Sequence, residues 1–379
     1  MRKSEKGKRK NLKSGDFLLM IFTAILVIFG LIMVFSASYY YSISQDGTAY
    51  SYLLRHGFWV VLGFGAMIFG AAFDYKRYRK LAIPALIIGV ILLVLVFTPL
   101  GHTANNATRW IKAGPITIMP GEIAKLCSIL FVAWFLSEKP ERIKSVTRGI
   151  LPLVAVAAVY GVLIVQQPNL STAITVCGII VSMMLVAGMK WRYFFGAAGL
   201  GAGGILGILI FMKDSYWYQR LTSFVDPFQD PLNEGYQAVQ SLLALGSGGL
   251  FGVGLGKSVQ KNLYLPEPQN DFILAIIGEE LGFIGLILLI ALYCCFLWRG
   301  VHIAINAPDQ FGMLLASGVV LMVGIQVILN IAVVTSSMPP TGINLPFISY
   351  GGNALLIFMF SAGILLNISR HEPKNTGVD

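Results

Sequence analysis

Apolar residues occur along this chain in long, nearly unbroken stretches, with polar residues confined to the gaps between them. A helix that spans a bilayer needs about 20 mostly apolar residues. Ten segments satisfy that pattern: 17–37, 56–73, 81–98, 121–137, 149–166, 170–188, 192–212, 271–298, 311–336 and 350–369. Short connectors join them, apart from one long loop at 213–270, which holds helix-like pieces such as "GYQAVQSLLALGSGG". The pattern predicts an all-α polytopic membrane protein with ten transmembrane helices. Its parts are a basic tail at 1–16, one membrane domain at 17–370 that includes the loop, and a short tail at 371–379.

Composition agrees. Hydrophobic residues make up 56% of the 379 positions and charged residues 12%, against about a quarter charged in soluble domains. Mean hydropathy is +0.74. The net charge of +10 does not point to nucleic acid, because the basic residues lie in the connectors between spans. Cytoplasmic connectors are the Lys/Arg-rich ones. That rule places "MRKSEKGKRKNLK", 74–80, 138–148, 189–192, Arg299 and the C-terminal tail inside, with both termini cytoplasmic. The outer segments are then 38–55, 99–120, 213–270 and 337–349. The first apolar run is longer than a signal-peptide core, so it is expected to remain as the first helix. Cys127, Cys177, Cys294 and Cys295 lie in apolar segments without metal-ligand spacing and are expected to be buried, inert thiols.

Several stretches carry candidate chemistry. "GSGGLFGVGLGKS" (246–258) superficially resembles a phosphate loop, but Phe251 stands where a Walker glycine is needed, so tight turns explain it better. "ATRWIKAGPITIMPGEIAKL" (107–126) puts Arg109 and Lys112 in an outer loop and Glu122 with Lys125 at i,i+3 in the fourth span. That last pair is equally readable as an ion pair that makes burial tolerable or as part of a polar cavity. "QQPNLSTA" (166–173) breaks two spans, and Gln167 and Asn169 could hydrogen-bond a sugar or phosphate there. "SMPPTGINLPFISYGGN" (337–353) is irregular backbone of a kind tolerated at membrane depth only when buried or lining a cavity.

"LPEPQNDFILAIIGEELG" (265–282) raises the sharpest question, because it places Glu267 and Asp271 before an apolar run and Glu279 and Glu280 within it. Intramembrane carboxylates are costly and commonly functional. A helix starting at Asp271 would bring Glu279 onto the same face, about 12 Å further along the axis. Asp271 is therefore the leading catalytic candidate. The alternative is a helix cap.

The motifs "RWI", "PGEIAKL", "QPNLSTA", "RLTSFVDPFQDPLNEGYQAVQS", "GSGGLFGVGLG", "LPEPQNDFILAIIGEELG" and "TGINLPFISYGG" occur in the order and spacing of the SEDS family of FtsW, RodA and SpoVE. The resemblance covers nearly all of residues 17–370 and is greatest to the FtsW/SpoVE branch. It implies a ten-helix peptidoglycan glycosyltransferase that polymerises lipid II outside the bacterial cytoplasmic membrane, for division or sporulation. It also implies a class B penicillin-binding protein transpeptidase as partner, beside other divisome or elongation proteins. Asp271 matches the family's essential loop aspartate, while Arg109, Glu122, Lys125, Lys261, Glu267 and Glu280 match other polar positions. Departures fall at Met119, Asn169 and Asn270, which weakens substrate-contact assignments there.

The expected site therefore has Asp271 as catalytic base and Arg109, Lys261, Glu267, Gln167 and Asn169 toward substrate. Glu122, Lys125, Glu279 and Glu280 line or brace the cavity. A divalent cation is a candidate cofactor with no assigned ligands. Two other classes compete: a lipid-linked precursor flippase, for which the intramembrane charges would be the pathway, and a division scaffold acting through its basic tails.

Overall fold

The computed structural model describes residues 15–372 except 105–106, 115, 197–198, 200–202, 204–206, 208–225, 229 and 234. Three helices come first: α1 (Phe17–Asp46), α2 (Ser51–Ala72) and α3 (Tyr75–Leu95). Strands β1 (Gly101–Ala104), β2 (Ala107–Ala113) and β3 (Ile116–Ile118) lead into α4 (Pro120–Glu138). Then come α5 (Leu151–Val165), α6 (Leu170–Val186), the loop helix α7 (Tyr236–Gly248), α8 (Ile273–Ile305), α9 (Gln310–Val334) and α10 (Gly352–Arg370). Eight helices among the described residues are long and apolar enough to cross a membrane, and α6 is a shorter apolar helix. The chain is a multi-pass helical membrane protein. The expected span 192–212, both extreme tails and the start of the long loop lie largely outside the described residues.

Local chemistry sets the helix ends. The Asp16 carboxylate caps α1 by accepting from Leu19 N at 2.8 Å, and it also pairs with Arg299 of α8. Asp309 caps α9 through Gly312 N at 2.8 Å and accepts from the Tyr75 hydroxyl at 2.7 Å. These caps satisfy helix-end amides and tie neighbouring helices together.

Helices α4 and α10 form the interior, with 72% of their most apolar windows buried, against 22% for α3 and α8. Without hydrophobic driving force in lipid, close backbone approach does much of the packing. On the α2–α10 seam, for instance, a β-carbon at Gly70 would stand 2.7 Å from the Phe360 carbonyl oxygen. The outward faces of α3 and α8 carry exposed Ile, Leu and Val, as lipid contact requires. The four cysteines are unpaired; Cys127 is buried, but Cys294 and Cys295 are exposed on α8 rather than enclosed. In a bilayer protein an apolar position can face outward as readily as inward.

The segment expected to be an outer loop at 99–120 is instead a three-stranded antiparallel sheet of order β1-β2-β3. Ile111 pairs with Ile118 and Lys112 with Thr117. Asn353, at the start of α10, donates to the Thr117 carbonyl at 2.8 Å and anchors the sheet to the bundle.

Candidate active site

Asp271 does not belong to α8. It lies in a turn two residues before Ile273, and the N-cap position is Phe272, with no side-chain cap bond. The capping alternative for Asp271 therefore has no geometric support. The same fact removes the expected shared face with Glu279, since a continuous helix from Asp271 was its premise.

The Asp271 turn is clamped from below. Asn330 of α9 is fully buried and donates from Nδ2 to the Asp271 carbonyl at 2.8 Å and to the Ile343 carbonyl at 2.7 Å. The Ser349 hydroxyl donates to the Asn270 carbonyl at 2.7 Å, and Tyr350 N donates to the Gln269 carbonyl at 2.9 Å. The 337–351 stretch is thus the floor on which the Asp271 turn rests. Gly342, with φ of 72°, brings its backbone against the carboxylate: a β-carbon there would stand 3.1 Å from Asp271 Oδ2 and 3.8 Å from Arg109 Nη1.

Arg109 reaches this point from β2 and donates through Nη2 to the Pro168 carbonyl at the α5–α6 break. The break is itself secured. Gln167 donates to the Leu93 carbonyl at 3.0 Å, and Asn169 caps α6 by accepting from Thr172 N at 3.3 Å. The Ser171 hydroxyl bonds the Thr341 carbonyl at 2.6 Å. Gln167 and Asn169 are both buried, so they shape the wall behind Arg109.

Glu267 sits four residues before Asp271 in a left-handed conformation (φ 45°). Asn270 holds it there, donating through its backbone at 3.0 Å and through Nδ2 to Oε2 at 2.7 Å. Non-glycine residues in this conformation are strained and collect at functional sites. Asp271 is half-buried and accepts no side-chain hydrogen bond among the described residues. Burial, and next the Glu267 carboxylate, push its pKa up to about 6, while the Arg109 guanidinium pulls it down. A carboxyl so placed is ionised at neutral pH and basic enough to accept a proton.

The remaining expected residues fall into two closed clusters. Glu280 is fully buried, pairs with Lys261 Nζ at 2.8 Å and accepts from the Ser36 hydroxyl of α1 at 2.7 Å. Lys261 also contacts Ser36 at 3.0 Å. Glu279 accepts from the Ser258 hydroxyl, from Val259 N at 2.8 Å and from Gln260 N at 3.3 Å. The Glu279 and Glu280 carbonyls accept from Val253 N and Gly254 N, just before α8 breaks at Gly282 (φ 67°). These residues staple the 249–262 loop onto α8. In the other cluster, Lys125 pairs with Glu122 at 2.7 Å and donates to Gln326 Oε1 of α9 at 2.8 Å.

Sequence reasoning missed Ser36, Asn330 and Gly342. A buried Asn in an apolar span was the one available signal, since such residues bond across helices. Among the described residues no group of three or more His, Cys, Asp or Glu side chains is placed to hold a metal ion.

A bundle of this form, with a clamped and half-buried aspartate near an arginine at one end, defines a membrane-embedded helical protein with a charged site at its rim. The sequence profile of the family described as "Cell cycle protein" (FtsW, RodA, SpoVE) matches residues 16–374, and the chain belongs to that family. It is 42% identical to stage V sporulation protein E of Bacillus subtilis (strain 168) over 95% of this chain and 98% of that one. Identity is 38% to a probable peptidoglycan glycosyltransferase FtsW of Geobacter metallireducens, over 95% and 96% of the two chains. The fold matches a chain solved in a study of polymerization and crosslinking by a peptidoglycan synthase complex, with TM-score 0.79, 26% identity and coverage of 96% and 99%. It also matches the rod shape determining protein RodA of Thermus thermophilus, with TM-score 0.69, 26% identity and the same coverage.

Proposed function

We propose that this chain is a peptidoglycan glycosyltransferase that polymerises lipid II at the outer face of the bacterial cytoplasmic membrane. In this reading both of its termini are cytoplasmic. The observation that carries the mechanism is Asp271: a half-buried carboxyl with a raised pKa, facing Arg109 across Gly342. Family membership and relatives named peptidoglycan glycosyltransferases support the reaction class.

The reaction joins a sugar 4-hydroxyl to the anomeric carbon of a sugar carried on lipid pyrophosphate. Asp271 accepts the hydroxyl proton as the new C–O bond forms. The bond between the anomeric carbon and the pyrophosphate oxygen breaks, and the leaving group departs with the electron pair. Arg109 stabilises that developing charge. One carboxylate base without a covalent nucleophile gives a single displacement with inversion. Lys261, closed into its pair with Glu280, serves by holding the outer loop, while Gln167 and Asn169 hold the wall behind Arg109.

The fold match to a chain of a peptidoglycan synthase complex supports a penicillin-binding protein of class B as partner. Relatives in both the SpoVE and FtsW groups support a role in sporulation or division. The test is purified chain, with and without such a transpeptidase, given lipid II. Glycan chains should form, most rapidly in the complex, and should be lost in Asp271→Asn. Movement of lipid II across vesicles without any polymer would overturn the reading in favour of a flippase.

A further inference from the structure

The outer ends of α1 and α2 carry Tyr39, Tyr40, Tyr41, Tyr50 and Tyr52, and these form two sets. Tyr39, Tyr40 and Tyr50 are 37%, 42% and 60% exposed. Tyr39 and Tyr50 pack on Phe35 at 6.0 and 5.8 Å. That is the behaviour of rings anchored at a membrane–water boundary. Tyr41 and Tyr52 behave differently. They are half-buried and turn onto each other at 5.7 Å, and Tyr52 then meets Tyr350 at 4.9 Å. His56, fully buried, packs against Tyr350 at 5.8 Å and supports the last ring.

This second set is continuous with the catalytic turn. Tyr350 donates its backbone N–H to the Gln269 carbonyl, two residues before Asp271. The Glu267 carboxylate lies within electrostatic reach of the Tyr41 and Tyr52 hydroxyls. Arg55 lies over the Tyr52 ring, 5.8 Å from its centre, hydrogen-bonds Tyr350 and pairs with Asp46 at 3.3 Å. Tyr41 meets Tyr52 edge to face at 79° and Tyr52 tilts 55° to Tyr350, so the three rings make an angled aromatic wall with carboxylate and guanidinium groups beside it.

Those chemistries select among ligands. The Glu267 charge disfavours a phosphate or an anionic lipid headgroup, Asp46 and Arg55 neutralise one another, and a lipid tail has no use for polar groups beside the rings. A pyranose ring fits both parts, because its C–H face packs on aromatic rings while its hydroxyl and acetamide edges take hydrogen bonds. We infer that Tyr41, Tyr52 and Tyr350 form an aromatic subsite that holds one sugar of the glycan strand adjacent to the sugars reacting at Asp271. This rests on the glycosyltransferase reading and adds a residue set that would govern how long the strand is retained.

The experiment uses the complex with its transpeptidase partner, given labelled lipid II and compared at equal lipid II consumption. Tyr52→Ala should shorten the mean glycan chain about threefold to tenfold, the effect of losing one aromatic contact. Tyr52→Phe should retain wild-type lengths, because the ring face makes the contact. Chitotetraose should inhibit the wild type and inhibit Tyr52→Ala more weakly by a similar factor. Unchanged lengths in Tyr52→Ala, or equal shortening in Tyr52→Phe, would overturn the subsite while leaving the glycosyltransferase reading intact. If Tyr52→Ala fails to co-purify with its partner, Tyr350→Leu replaces it, and absence of chitotetraose inhibition of the wild type overturns the subsite directly. A wild-type complex that makes no polymer would overturn both readings.

Discussion

Four carboxylates lie within fourteen residues of one another, yet the two halves of that stretch are built for opposite ends. Glu279 and Glu280 are deep, and every one of their oxygens faces a donor: Ser258 and two amides for the first, Lys261 and Ser36 for the second. Glu267 and Asp271 stand at the rim, where a half-buried Asp271 accepts no side-chain hydrogen bond among the described residues and is perturbed by two neighbouring charges. On the proposed reading, that contrast is what separates a brace from a base in an apolar bundle. A carboxylate with all its acceptor sites filled is fixed and unreactive, whereas one clamped only through its backbone keeps its oxygens available to substrate.

The largest effect expected is on the brace side. Lys261→Met leaves Glu280 buried with only Ser36 as donor, and breaking a buried pair costs about 3–5 kcal/mol. Thermal unfolding in detergent should show a large loss, with the 249–262 loop the first segment to become protease-sensitive. Lys261→Met combined with Glu280→Leu should recover most of that stability. The Glu122–Lys125 pair offers the same test by charge reversal: Glu122→Lys or Lys125→Glu alone should reduce accumulation in the membrane, and the double swap should restore it. Single variants that accumulate and melt normally would show that these pairs are not braces.

On the rim side the expected loss is of activity and not of fold. Asp271→Asn should unfold at or above the wild-type temperature, because it removes a charge whose burial is unfavourable, and should bind its partner, while polymerisation falls by at least ~100-fold, the low end for loss of a general base. The sign of the pH dependence follows from the raised pKa. The base works ionised, so the wild-type rate should fall as pH drops through about 6, and the residual rate of the Asn variant should lack that limb. Holding the ionised form also opposes folding, so the contribution of Asp271 to stability should decline as pH rises from the ordinary carboxylate value of about 4 toward 6. An Asn variant with near-normal polymerisation would collapse the distinction between rim and brace.

Much of this was readable from residue order. The long apolar runs give the spans because lipid demands them, and the eight long helices and α6 fall where nine of those runs lie. Glu122 and Lys125 meet as i,i+3 spacing requires. The Asp271–Glu279 geometry was misjudged because α8 starts at Ile273, so helical periodicity does not extend back to residue 271. The sheet at 101–118 had a visible signal in "ATRWIKAGPITI", where alternation is followed by the residues Ala-Gly-Pro. The pairing of Lys261 with Glu280 and Ser36 joins residues 19 and 225 positions from the lysine, a distance at which no local pattern operates.

The finest test moves the base without touching its chemistry. Gly342 combines a φ of 72° with a backbone lying against Asp271. Gly342→Ala has two consequences of different kinds. The left-handed conformation costs an alanine roughly 1–2 kcal/mol, part of which the open side of the turn can relax. The new methyl would stand 3.1 Å from Asp271 Oδ2, closer than ordinary contact, so the carboxylate must shift by a few tenths of an ångström. A 1 Å misplacement in an active site can cost about 100-fold, so a smaller shift should lower the polymerisation rate about tenfold. The pH limb near 6 should persist, because the base is still present, and lipid II half-saturation should change less than the maximal rate. If Gly342→Ala instead unfolds like Lys261→Met, with activity per folded molecule preserved, the floor beneath Asp271 is itself a brace and the rim is held from below as rigidly as the interior.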